Sequence, residues 1–333
     1  LPLLHANLGK LGVDDAALKR YASVRRFYWV RQQAILRSVT PVIEALVQAG
    51  VRVMLLKGLP LQRVYESGAL RPTSDVDAWV PRDDLAAAFD VLTSVGFVPI
   101  NERLARSGAL TTAYGVQHAV TMRCAADGLE FDLHARLHKS IPSFTLADDL
   151  FGEADAMTIG SARVAVLSRE GAILHAAAHA LGSESGPAVR GVADVAMLLR
   201  HGGPAIDWAK LGDIAVRAQA LSAVHAMVTH AYAAMGTDVP ADALTRLDPQ
   251  RATRADRFGW RLVRPGLRGQ LWRSVLLSYL RARSAASHDG GPPVTPTRFM
   301  QGFAHAPSIL RGVRIAVTLP IKRLMQDGSM HPT

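Results

Sequence analysis

Strand-like patterns in this sequence are confined to residues 51–168, and helical periodicity dominates the segments on either side. Short apolar runs rich in β-branched residues predict buried strands, and an Asp-Gly pair at 127–128 predicts a hairpin between two of them. The strands do not alternate regularly with helices, which argues against a doubly wound parallel sheet. We therefore predict an α/β (α+β) fold with a mixed sheet, N-terminal helices and a largely helical C-terminal domain.

These patterns divide the chain into three predicted regions. They are a helical lead-in at 1–50, an α/β domain at 51–168, and a helical domain with a basic tail at 169–333. The predicted strands are 51–56, 76–80, 97–100, 116–123, 129–134 and 164–167. The predicted helices are 14–49, 59–67, 83–95, 169–182, 188–201, 207–219, 221–235 and 270–286.

Composition excludes several classes of protein. With 49% hydrophobic and 20% charged residues, the chain resembles a globular domain and not a disordered one. No uncharged apolar run approaches the ~18 residues of a membrane-spanning helix, and no signal-peptide pattern is present, so we expect a cytoplasmic protein. The single cysteine, Cys124, excludes an intrachain disulfide and a cysteine-based zinc cluster.

The net charge of +10 is concentrated near the C-terminus. Residues 251–333 contain 14 Lys and Arg but 3 Asp and Glu, whereas the rest of the chain is close to neutral. A concentrated basic segment attracts polyanions such as nucleic acid. An arginine-rich solvated surface over helices explains the same composition. Contact of this basic tail with a polyanion is therefore one of two interpretations.

Acidic residues at alternate positions mark two of the predicted strands. Asp75 and Asp77 are two residues apart, so both project from one face of their strand. Glu130, Asp132 and His134 share one face of a later strand in the same way. Carboxylates gathered on one face repel each other unless a cation neutralises them. Because Mg²⁺ prefers oxygen ligands, this pattern predicts a divalent metal site.

A Lys-Gly pair follows the first predicted strand. Gly58 allows the backbone to come close to a phosphate, and Lys57 adds a positive charge. Arg71 precedes the acidic pair by four residues and has the planar guanidinium that pairs with phosphate. The strand-to-helix turn is therefore a predicted phosphate-binding element beside the acidic strand.

The order of these motifs resembles the nucleotidyltransferase superfamily with the polymerase-β-like fold. The sequences LLKG at 55–58 and LRPTSDVD at 70–77, with DLH at 132–134, are similar to a bacterial family of uncharacterised nucleotidyltransferases. Weaker similarity continues through the helices, and the resemblance covers roughly residues 30–230. Lys57 departs from the superfamily pattern, which has a small residue in the first position of its Gly-Gly/Ser loop.

The resemblance implies a role for each motif. It assigns metal binding and catalysis to three acids, which are Asp75, Asp77 and Asp132. It assigns nucleotide binding to the residues around the Lys-Gly turn and before the acidic pair, which are Lys57, Gly58, Arg71 and Ser74. Residues expected in or near the cleft are Glu130, His134 and Arg190. The implied cofactor is Mg²⁺ (or Mn²⁺), and the implied substrate is an NTP, with ATP expected.

The resemblance implies an enzyme that moves a nucleoside monophosphate from an NTP to an acceptor hydroxyl and releases pyrophosphate. The acceptor class stays open between RNA, a protein or peptide, and a small molecule. A metal-dependent glycosyltransferase that binds a nucleotide sugar through Asp-x-Asp is one alternative. A nucleic-acid-binding regulatory protein with a vestigial site is another, which the basic tail favours.

Two pairs with helical spacing lie in the C-terminal half. His175 and His179 are four residues apart, so they face the same side of a predicted helix and have the spacing of a metal pair, but the sequence HAAAH lacks the Glu of the metalloprotease motif. Arg190 and Asp194 have the same spacing. An intrahelical ion pair is the simpler interpretation of the second pair, and a position of both residues in the cleft between the domains is the alternative.

Overall fold

Seven strands form one mixed sheet in the structure, a computed structural model. It describes residues 2–13, 16–100, 118–138, 141, 146–182, 189–202 and 205–263, with 276, 279, 280, 283, 293–296 and 299 beyond them. The strands are β1 (Met54–Leu56), β2 (Asp75–Trp79), β3 (Phe97–Pro99), β4 (Ala119–Cys124), β5 (Glu130–His134), β6 (Asp155–Ile159) and β7 (Ala162–Val166). Their order is β3-β4-β5-β2-β1-β7-β6. The β2–β5 and β1–β7 pairs are parallel and the others antiparallel, which confirms the predicted mixed sheet.

Helices precede, interrupt and follow the sheet. Those before and within it are α1 (Pro2–Lys10), α2 (Ala16–Gln48), α3 (Gly58–Leu61), α4 (Leu85–Ser94) and α5 (Leu146–Gly152). Those after it are α6 (Arg169–Gly182), α7 (Val189–Gly202), α8 (Trp208–Arg217), α9 (Leu221–Met235), α10 (Ala241–Arg246) and α11 (Arg254–Val263). Within the described ranges, no helix has the length and apolar character needed to cross a membrane.

The two faces of the sheet pack against different helices. Side chains alternate along a strand, so Val76 and Ala78 of β2 join a core with residues of α2 and α4. Trp79 points to the other face and joins a second core with Leu56 of β1 and the helices from α6 to α9. Because Asp75 and Asp77 alternate with Val76 and Ala78, the acidic pair shares the face of Trp79, between the sheet and the C-terminal helices.

Most predicted elements are confirmed within one to three residues. The predicted helices at 169–182 and 221–235 agree with α6 and α9, and the hairpin at 116–134 agrees with β4 and β5. Sequence reasoning missed β6, an edge strand whose residues are mostly exposed and lack an alternating apolar pattern. A turn at Gly160, with a φ of +60°, joins β6 to β7. The predicted helix at 270–286 and the tail that follows lie largely outside the described residues.

Candidate active site

Two neighbouring parallel strands carry the predicted acidic residues. In the register of β2 and β5, Asp77 lies opposite Asp132, and Asp75 lies opposite Glu130. Residues opposite each other in a sheet share a face, so all four carboxylates project from the side that the C-terminal helices cover. The sheet therefore places side by side two motifs that are far apart in the sequence.

Asp77 is the most deeply buried carboxylate of this group, with 3% of its surface exposed. Its Oδ1 accepts a hydrogen bond from Nζ of Lys57 at 2.6 Å and lies 3.0 Å from Nε2 of His134. Burial alone raises the pKa of a carboxyl group, but Lys57 and His134 outweigh it and hold the pKa of Asp77 well below its usual value. Asp77 is therefore ionised at neutral pH.

Asp77, Asp132 and His134 form a group suited to a metal ion. One ligand atom of each lies within 4.8 Å of the others. Oδ1 of Asp132 is buried and has no hydrogen-bond partner among the described residues, an unfavourable state for a carboxylate unless a cation or proton binds it. The two carboxylates suit a divalent ion such as Mg²⁺ or Mn²⁺, which prefers oxygen ligands, whereas an imidazole ligand suits ions such as Zn²⁺. The sequence analysis instead predicts Asp75 as the third ligand and expects His134 only in or near the cleft.

Asp75 lies beside this group and has an unfavourable charge. Burial, followed by the charges of Asp77 and Asp132, raises its pKa, and Lys57 and a hydrogen bond from Ser74 at 3.3 Å counter this only in part. No ion pair neutralises Asp75 in the described part of the chain. A cation bound here would relieve repulsion among the three carboxylates.

The Lys-Gly turn positions the lysine at the acidic strand. Lys57 directly follows β1 with a φ of +48° and a ψ of −106°, a conformation that is strained for any residue with a Cβ. Gly58 begins α3, and a Cβ at this position would clash with Oγ1 of Thr73. The missing side chain thus lets the turn pack against the segment that leads into Asp75.

Arg71 is buried and forms an ion pair with Asp194 of α7. Its Nε and Nη2 donate to the two carboxylate oxygens of Asp194, both at 2.8 Å. The hydroxyl of Tyr65 donates to Oδ1 of Asp194 at 2.7 Å, and burial is the largest cause of the raised pKa of Tyr65. The expected pair of Asp194 with Arg190 is replaced by this longer-range one. Sequence reasoning missed Tyr65, because no local pattern links it to a partner 129 residues away.

The site opens into a cleft of about 680 Å³, a size common for small-molecule sites. Most of the predicted site residues line it, namely Lys57, Gly58, Arg71, Ser74, Asp75, Asp77 and Arg190. His179 of α6, noted in the sequence only for its spacing from His175, lines it as well. Glu130 pairs with Arg123 on β4 at 2.6 Å, and both side chains are largely exposed.

The comparison with protein-family models agrees with the motif-based resemblance. A protein-family model described as uncharacterised nucleotidyltransferase matches residues 1–236, a range that contains every residue of the site. No curated protein gave a significant match. Among solved structures, the chain is similar to an antigenic nucleotidyltransferase-like protein from Paracoccidioides brasiliensis. The two are 11% identical, with a TM-score of 0.39, and the match covers 64% of this chain and 91% of that one.

Proposed function

Because this chain belongs to the family of uncharacterised nucleotidyltransferases, we propose that it transfers a nucleoside monophosphate from an NTP to an acceptor hydroxyl and releases pyrophosphate. The observation that carries this proposal is the pairing of Asp77 with Asp132 across two parallel strands, with an unpartnered oxygen on Asp132. Asp75 stands on the same face, and the cleft beside it is lined by basic side chains.

The proposed ligands of Mg²⁺ (or Mn²⁺) are the carboxylates of Asp75, Asp77 and Asp132. When bound, such an ion neutralises phosphate charge and polarises the phosphoryl group that is transferred. His134 contacts Oδ1 of Asp77 and, together with Lys57, keeps this carboxylate ionised. The unpartnered oxygen of Asp132 and the raised pKa of Asp75 both support this assignment.

Basic groups along the cleft are the proposed contacts of the triphosphate. Lys57, Arg71 and Arg190 line it together with the hydroxyl group of Ser74. Arg71 is held in place by its two hydrogen bonds to Asp194, so its guanidinium needs little reordering when a nucleotide binds. ATP is the proposed nucleotide, and the acceptor is proposed to bind in the same cleft.

In the proposed reaction, the acceptor oxygen attacks the α-phosphorus of the nucleotide in line with the leaving group. The bond between this phosphorus and the oxygen that bridges to the β-phosphorus breaks, and pyrophosphate leaves. Asp132 is also the proposed base that takes the proton from the acceptor hydroxyl, since it lies opposite Asp77 in the register of β2 and β5. The residues contribute mainly by positioning and by electrostatic stabilisation.

Label transfer tests this proposal. The protein is incubated with Mg²⁺, a cell extract as acceptor source, and each of the four α-³²P NTPs in turn. We expect one labelled acceptor band with the wild-type protein. Labelling should fall about 100-fold in Asp132→Asn and in Asp77→Asn, because a carboxylate ligand contributes several kcal/mol to the stabilisation of the transition state. The exposed Asp90→Asn on α4 is the matched control.

Two results would contradict the proposal. The first is labelling that Asp132→Asn leaves intact. The second is a folded wild-type protein that labels nothing with any NTP and binds no Mg²⁺–NTP in calorimetry. Binding of a nucleotide sugar in that second case would favour the glycosyltransferase alternative.

A further inference from the structure

Five histidines form a continuous chain of ring contacts beside the candidate active site. His118 contacts His134 and His138, with ring centres 5.2 and 5.9 Å apart. His138 in turn contacts His175 and His179 of α6. The chain thus leads from the buried His134, next to Asp77, to His179 in the cleft wall. The proposed reaction assigns no role to His138, His175 and His179.

His138, His175 and His179 form a triangle. Their ring centres are separated by 6.2 Å for His138 and His175, 5.6 Å for His138 and His179, and 6.3 Å for His175 and His179. A zinc-bound imidazole nitrogen lies ~2.0–2.1 Å from the ion, so three imidazoles on one ion have centres roughly 5.2–5.5 Å apart. The observed separations of 5.6–6.3 Å exceed this range, so the binding of one ion requires the three rings to turn and to move closer together.

The three imidazoles are in the form that binds metals. His138 and His175 are each 3% exposed, and Nε2 of His175 is buried without a hydrogen-bond partner in the described ranges. Burial is the main cause that lowers the pKa of all three, that of His179 to about 4, so they are neutral at pH 7. A neutral ring nitrogen is a good ligand, whereas a protonated one cannot bind.

We propose that His138, His175 and His179 form a binding site for one transition-metal ion of the zinc type, separate from the carboxylate site. Three imidazoles favour zinc or cobalt over magnesium, which prefers oxygen ligands. His179 lines the cleft, so the ion has a path of entry and a position open to solvent or substrate. Lys57 opposes a second cation nearby, but its charge is balanced by Asp77, 2.6 Å away.

Metal titration of the full chain tests this proposal. Zn²⁺ is titrated into metal-free protein by calorimetry at pH 7.5, and Co²⁺ is added in parallel to record the visible absorption of a tetrahedral complex. We expect one equivalent to bind at the histidine site, in addition to any ion at the carboxylate site, with the affinity of the histidine site reduced at least tenfold in His179→Ala and in His175→Asn. The exposed His201→Ala on α7 is the matched control, and circular dichroism verifies that each variant is folded.

A second pair of variants separates the two sites. Asp132→Asn removes a carboxylate ligand of the candidate active site and is expected to leave the Zn²⁺ affinity of the histidine site within a factor of three. Loss of Zn²⁺ binding in Asp132→Asn but not in His179→Ala would overturn the proposal, because the ion would then occupy the carboxylate site. The absence of Zn²⁺ and Co²⁺ binding by the wild-type protein would overturn it as well.

Discussion

Lys57 and Asp77 form an ion pair in which Nζ lies 2.6 Å from Oδ1, and the carboxylate is almost fully buried. The amine therefore stands at the side chain where the proposed Mg²⁺ would bind. In the absence of a metal, it supplies the positive charge that Asp77 needs in a buried position. A divalent cation and the lysine compete for the same carboxylate, and a lysine released by the cation becomes available to the triphosphate.

Lys57→Met leaves the buried charge of Asp77 without its strongest partner. Breaking a buried ion pair by removing one side destabilises a protein by about 3–5 kcal/mol, and Lys57 is 18% exposed, so we expect about 2–4 kcal/mol. Added Mg²⁺ takes over the role of the amine and narrows the difference from wild type. Urea unfolding with and without Mg²⁺ measures both effects.

Lys210→Met is the control for this variant. Lys210 pairs with Glu153 at 3.0 Å, and both side chains are substantially exposed, so the expected loss is under about 1 kcal/mol and independent of Mg²⁺. A loss in Lys57→Met that Mg²⁺ does not reduce would mean that the ion does not bind at Asp77.

Asp194→Asn breaks the buried pair with Arg71. The guanidinium then lacks its counter-charge, and we expect a loss of about 3–5 kcal/mol in urea unfolding. Tyr65→Phe removes a single hydrogen bond to the same carboxylate and is expected to cost about 1 kcal/mol. Equal losses in the two variants would contradict a dominant role of the ion pair. Arg123→Met, which breaks an exposed pair, is the surface control.

Gly58→Ala introduces a Cβ into the space that Thr73 occupies. The clash forces a shift of Thr73 or of the turn at Lys57, and we expect a destabilisation of about 1–3 kcal/mol. Thr73→Ala in the same chain removes the clashing oxygen and should recover most of this loss. Thermal unfolding of the single and double variants measures the recovery. A double variant no more stable than Gly58→Ala would place the strain in the backbone instead.

Acid should destabilise the metal-free protein through its buried histidines. The pKa of His179 falls from 6.5 to about 4 on folding, and those of His138 and His175 fall well below 6.5. As the pH drops below 6.5, these histidines become protonated in the unfolded chain but stay neutral in the folded chain. Stability therefore declines between pH 6.5 and 4, by about 1.4 kcal/mol per pH unit for each histidine that stays neutral.

Urea unfolding in EDTA at several pH values between 7.5 and 5 measures this slope. His179→Gln lacks one histidine that is protonated in the unfolded chain but neutral in the folded one. Its free energy of unfolding is therefore expected to fall less steeply with decreasing pH than that of wild type. His230→Gln, at an exposed position of α9, should retain the full slope. The same pH dependence of the unfolding free energy in wild type and both variants would contradict this prediction, because the loss of stability in acid would then come from groups other than His179.

The acidic face of the site follows directly from the sequence, and the contacts around it do not. Alternation along a strand is a local rule, so the shared face of Asp75 and Asp77 is predicted from their spacing alone. The order of the strands is not local, and it alone brings Asp77 opposite Asp132. The same order places Lys57 at Asp77, although its sequence context indicated only a phosphate contact.

The pairing of Asp194 shows where a local rule gives way to tertiary structure. Its spacing from Arg190 predicted an ion pair within one helix, which contributes only a few tenths of a kcal/mol. The structure instead pairs Asp194 with Arg71, 123 residues earlier, inside a buried interface. The strand β6 was missed for a local reason. Its residues are mostly exposed, so its sequence lacks the alternating apolar pattern by which a strand is predicted.

The parallel pairing of β2 with β5 also determines when the site can exist. Asp77 and His134 are 57 residues apart, and contacts between such distant residues require the closure of a long loop, which slows folding. During synthesis, the Lys-Gly turn and Asp-x-Asp strand emerge well before their partner strand. A nascent chain that ends before β5 carries only half of the site. Metal binding can therefore stabilise the fold only after β5 has paired with β2.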